Sequence, residues 1–64
     1  MRMYDLIMKK RDGKVLKQDE IEFMIEGFTE GTIPDYQMSA MMMAIFLKGM
    51  DDSETLNLTM AMAH

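Results

Sequence analysis

The side chains with the means to do chemistry are few, and each stands without the neighbours that chemistry requires. His64 is the one imidazole, placed at the last position with no nearby sequence partner to orient it as a base or ligand. Ser39 and Ser53 are hydroxyls with no adjacent base to take their proton, so neither reads as a nucleophile. Asp51, Asp52 and Glu54 concentrate negative charge in the manner of a calcium loop. The alternating Asp/Asn positions, central glycine and distal bidentate glutamate of an EF-hand are missing, however. The spacing Asp51-x-x-Glu54 instead matches a capping box, with Asp51 accepting from early helical amides and Glu54 reaching back. Gly13, Gly27, Gly31 and Gly49 are isolated, and no phosphate cradle of the GxGxxG or GxxxxGK kind is present. Lys9, Lys10, Arg11 and Lys14 form a basic patch that could draw an anion, although a basic last turn is also what a helix C-terminus favours.

Methionine is the compositional oddity: 11 of 64 residues, including Met38, Met41, Met42, Met43, Met60 and Met62. Three roles fit such a concentration. The unbranched, polarizable thioether makes an adaptable core or partner-facing surface. Met-x-x-Met and Met-x-Met spacings could also hold soft Cu(I), although these positions follow helical core spacing in a chain with one His and no Cys. Deliberate enrichment by engineering is the third.

These residues must be positioned by helices, because apolar residues recur at i, i+3, i+4 and i+7 and nowhere alternate as in a strand. Met3, Leu6, Ile7 and Lys10 mark the first helix, with the Lys10 stem lying along the apolar stripe; Asp12-Gly13 ends it. Ile21, Met24, Ile25 and Phe28 mark the second, behind the acidic first turn Asp19, Glu20, Glu22. Gly27 weakens that helix by about 1 kcal/mol relative to Ala, which suggests a close helix approach. Pro34 suits a first helical position and opens the third helix, which is apolar almost all round and therefore reads as central. Leu56, Thr59, Met60 and Ala63 form one stripe of the fourth helix, and Leu58 and Met62 another. The spacing predicts helices over about 2–11, 18–29, 34–48 and 52–63, a single all-α domain or fragment: a small bundle of four short helices.

The seven basic and eleven acidic residues leave a charge of −4, which disfavours nucleic acid and anionic membrane surfaces as partners. No signal peptide or membrane span is recognisable, so a cytoplasmic location is expected. A core of this size seldom supplies more than about 3 to 5 kcal/mol unaided. With no cysteine to form a disulfide, a partner subunit or a larger parent protein is the natural source of further stability.

The segments Lys9-Lys10-Arg11-Asp12-Gly13, Glu20-Ile21-Glu22-Phe23, Ile33-Pro34-Asp35-Tyr36-Gln37, Ser39-Ala40, Met43-Ala44-Ile45, Gly49-Met50 and Leu58-Thr59-Met60-Ala61-Met62 together resemble the start of pyrimidine-nucleoside phosphorylases, thymidine phosphorylases among them. The resemblance runs in register along essentially the whole chain. It departs at Lys17, where the family tends to carry a capping Thr, and at Met8, Met24 and Met42. It implies the helical domain type of this glycosyltransferase (pentosyltransferase) family, incomplete here relative to its parent. It also implies a homodimeric parent with a large α/β domain that cleaves pyrimidine nucleosides with phosphate to base and pentose 1-phosphate. Phosphate- and base-binding residues lie later in such chains, so no catalytic residue transfers, and no cofactor or metal is implied. The expected role is noncatalytic dimerisation and scaffolding; the alternative is an autonomous or engineered Met-rich module that binds another protein. More apolar surface is present than four short helices can cover, which makes Met3, Leu6, Ile7, Met38 and Met42 interface candidates, and Tyr36 fits packing and interface roles equally.

Overall fold

The computed structural model describes residues 1–63 as four helices: α1 (Met3–Arg11), α2 (Gln18–Glu30), α3 (Asp35–Lys48) and α4 (Asp52–Met62). The expectations for His64 lie outside the described residues. Helix α1 packs chiefly on α3, and α2 on α4, giving two helix pairs within a body of 27 × 23 × 19 Å. Met3, Leu6 and Ile7 from α1, Leu16 from the first loop, Ile21 and Met24 from α2, Ile33 and Met41 form one buried core across both pairs.

Local chemistry explains each helix end. Gly13, at φ +82, lets the chain close a Schellman turn: Lys14 N–H donates to the Lys9 carbonyl at 3.1 Å and Gly13 N–H to that of Lys10 at 2.9 Å. Gly31, at φ +83, repeats the device for α2, with Thr32 N–H donating to the Gly27 carbonyl at 2.9 Å. Pro34 falls one residue earlier than expected. It is the N-cap of α3, in extended conformation, and its carbonyl accepts from Gln37 N–H at 3.1 Å and Met38 N–H at 3.2 Å.

Three packing expectations need correction. Gly27 is buried and permits a close approach, but by the α2–α3 loop rather than a helix: a Cβ at Gly27 would lie 2.6 Å from Ile33 Cδ1. Helix α3 is not enclosed on all sides. Met41 and Ala44 are buried, whereas Met42, Met43, Phe46 and Leu47 are exposed, because α1 covers one side and no further layer covers the other. The α4 stripe is likewise rotated: Glu54 is buried, Leu58 and Ala61 pack on the core, and Leu56 and Met60 face outward.

Candidate functional site

Two features stand out from the ordinary packing, a charged seam inside the bundle and an apolar groove outside it. The seam is built from the capping geometry of α4. Asp51 Oδ1 accepts from Glu54 N–H at 2.7 Å, and Glu54 Oε1 accepts from Asp51 N–H at 3.0 Å, which completes the capping box read from the sequence. The same Glu54 carboxylate reaches past its own helix to accept from Lys10 Nζ at 2.8 and 2.9 Å and from Leu16 N–H at 2.8 Å. Lys10 is 3% exposed and Glu54 1%. Burial by itself would raise the Glu54 pKa; the amide of Leu16, the Lys10 ammonium and the amide of Asp51 outweigh it and hold the carboxyl below its ordinary value.

A second pair flanks the seam. Lys9 Nζ donates to Glu20 Oε1 at 2.7 Å, and the same oxygen accepts from Lys17 N–H at 2.8 Å. Against the burial that would raise it, these donors lower the Glu20 pKa. Lys17 stands at the N-cap of α2 with no side-chain cap, since an ammonium has no lone pair to offer, and Glu20 supplies the reciprocal half of a capping box by accepting from Lys17 N–H.

The groove lies between α2 and α3, with a volume of about 850 Å³, and is lined by Phe28, Met38, Met42, Met43 and Phe46, with Asp35 and Ser39 as its polar members. Flexible thioethers beside aromatic rings suit apolar side chains of varied shape. The polar lining groups pair no nucleophile with a base, and no cluster of three or more metal-ligating His, Asp or Glu side chains occurs among the described residues.

The interface candidates divide between inside and outside. Tyr36 and Met42 are exposed and Met38 is half-buried in the groove wall. Met3, Leu6 and Ile7 are not surface residues: all three are buried in the core of this same chain, because α3 and the first loop cover the α1 stripe. An amphipathic stripe records that a face is buried but not against what. Phe28 of α2 and Met43 and Phe46 of α3 complete the outer groove, and the signal for the last two was the surplus of apolar positions on α3. The Lys10–Glu54 pair, 44 positions apart, had no local signal at all.

This helical bundle, with its α3 face turned outward, coincides with a known domain class. Residues 4–64 match the model for the glycosyl transferase family, helical bundle domain, and the chain belongs to that family. Over all 64 residues it is 66% identical to the pyrimidine-nucleoside phosphorylase of Geobacillus stearothermophilus and 59% identical to that of Staphylococcus haemolyticus strain JCSC1435. The enzyme of the same name from Bacillus subtilis strain 168 is 55% identical over the same length. The chain spans 15% of the length of each of these relatives.

Proposed function

We propose that this chain is the N-terminal helical dimerisation and scaffold domain of a cytoplasmic pyrimidine-nucleoside phosphorylase, and that it contributes no catalytic residue of its own. The parent reaction is the cleavage of a pyrimidine nucleoside by phosphate, yielding the free base and a pentose 1-phosphate. The observation that carries this reading is the 66% identity, unbroken in coverage across the chain, to a relative bearing that name. The outer face of α3 supports the dimerising role, since Tyr36, Met42 and Phe46 hold large apolar area in water and such patches mark interfaces. Met3, Leu6 and Ile7 serve that face from beneath, by fixing α1 against α3. A two-fold pair is the closed arrangement such a face favours. The partners are thus a second copy and the large α/β domain of the same enzyme. The charge of −4 supports neither nucleic acid nor an anionic membrane as a partner, and among the described residues no helix is long and apolar enough to cross a membrane.

Phosphorolysis needs donors that hold the phosphate against the sugar carbon, where positive charge develops, and that stabilise the negative charge on the departing base. The chain by itself is therefore expected to show no turnover of thymidine or uridine with phosphate, while two differently tagged copies co-purify. Turnover in material free of full-length enzyme contradicts the noncatalytic role, and failure of the copies to co-purify contradicts the dimerising one.

A further inference from the structure

The bundle consists of two helix pairs, α1 with α3 and α2 with α4, and direct backbone approach is concentrated within the pairs. Polar ties cross between them: Lys10 of α1 to Glu54 of α4, Leu16 N–H of the first loop to the same carboxylate, and Lys9 of α1 to Glu20 of α2. A buried ion pair is a weak source of net stability, because desolvation of both charges offsets their attraction, and a well-packed apolar pair of similar volume often does as well or better. Geometry is what it adds. The Glu54 carboxylate accepts from the Lys10 ammonium of α1, the Leu16 amide of the first loop and the Asp51 amide of its own helix cap, at 2.8 to 3.0 Å. Apolar side chains can slide and repack at modest cost. A carboxylate held by three fixed donors in a low-dielectric interior has one orientation that satisfies them all. Every buried side-chain nitrogen and oxygen among the described residues has a hydrogen-bond partner.

We propose that Lys10 and Glu54 form an orientation lock, which sets the angle of α4 against the α1/α3 pair. In a phosphorylase of the kind proposed above, on which this second step rests, the lock places the large domain relative to the dimerising face. The two are positioning residues: they touch no substrate, and act through the direction of α4.

The chain has no cysteine, so Tyr4→Cys on α1 and Leu56→Cys on α4, both exposed, accept a pair of nitroxide labels without interference. Dipolar spectroscopy then gives the α1–α4 distance distribution. It is measured with the native pair and with the Lys10→Met/Glu54→Met double substitution, which keeps volume and removes both charges. The expected result is a cooperative melt, lowered because the Leu16 and Asp51 amides lose their acceptor but above that of Glu54→Met alone, with a distance distribution at least about twofold broader. An unchanged, narrow distribution overturns the lock. So does a double variant that fails to fold or melts as low as Glu54→Met alone, because removing the Lys10 charge would then bring no relief and the pair would be a stabiliser rather than an orienting device. In the full-length enzyme the same double substitution is expected to lower kcat for phosphorolysis roughly tenfold or more with KM little changed, as misplacement of a reacting group does. An unaltered kcat overturns the link to domain placement. A full-length chain with the native pair and no phosphorolysis counts against the phosphorylase reading alone, and the distance distribution still decides the lock.

Discussion

Between α1 and α4 a lysine and a glutamate are almost wholly removed from water, while on the far side of α3 Phe46 is 75% exposed and Tyr36 72%. The two regions invert the usual partition of apolar residues inside and charge outside, and they do so for different reasons. The buried charges are tolerable because each is paired and hydrogen-bonded within the chain; nothing outside is required to complete them. The exposed apolar residues have no such internal completion, and burying one fully is worth about 1.5 to 3 kcal/mol. The seam is a finished structure and the α3 face an unfinished one. Stranding one partner of the seam should lower stability, and changing the α3 face should lower association, so substitutions in the two regions should separate these properties.

The largest effect is expected at the seam. Glu54→Leu strands the Lys10 ammonium in the interior, at a cost of about 3 to 5 kcal/mol, comparable with the whole stability of a domain this small. Circular dichroism should find the variant largely unfolded at 25 °C; a melt close to that of the parent would show that the ion pair is not buried as described.

Acid attacks the same seam gradually. Glu54 and Glu20 have native pKa values lowered from an ordinary 4.5, and Asp51, through its bond from the Glu54 amide, from 3.8. A lowered native pKa contributes stability that is complete above the unfolded value and lost as the pH falls through the native one. Urea midpoints should therefore be steady above about pH 5.5 and decline as the pH drops below 4.5 toward 3. A midpoint that rises on acidification contradicts the assigned direction.

A smaller loss is expected at Gly27. Alanine would gain up to about 1 kcal/mol of helix propensity, but its Cβ would meet Ile33 Cδ1 at 2.6 Å and Cγ1 at 2.8 Å. Displacing that buried side chain costs about 1 to 3 kcal/mol. The net change, a loss of roughly 1 kcal/mol, is read from the shift in urea midpoint; a stabilised variant would mean that Ile33 yields freely.

The smallest effect sharpens the contrast between ion pairs. Arg2 and Asp5 approach at 3.4 Å, but their side chains are 75% and 58% exposed. Arg2→Ala should change stability by less than about 0.5 kcal/mol, within the scatter of repeated denaturation curves.

These regions also differ in how far the amino-acid order reveals them. The helices, the glycine stop at Gly13 and the Asp51–Glu54 box depend on residues within one or two turns, and all were readable from spacing. Lys10 and Glu54 each had a satisfactory local explanation, a stem along an apolar stripe and a capping carboxylate, and those explanations concealed their mutual pairing 44 positions apart. Met3, Leu6 and Ile7 failed as surface candidates for a related reason: periodicity identifies a buried face without naming the element that buries it. The surplus of apolar positions on α3 could be counted in advance, but the side left bare depends on where α1 docks.

The separation of the two regions is tested most directly by light scattering coupled to size-exclusion chromatography at micromolar concentration, on the parent chain and on Met42→Ser/Phe46→Ser. Both substituted residues are exposed and outside the core, where polar replacements alter stability by about 0.5 kcal/mol each. The account predicts twice the chain mass of 7.4 kDa for the parent, a single chain mass for the variant, and closely similar urea midpoints once the parent is diluted to monomer. A monomeric parent with a sharp cooperative melt, or a variant that remains dimeric, would contradict it.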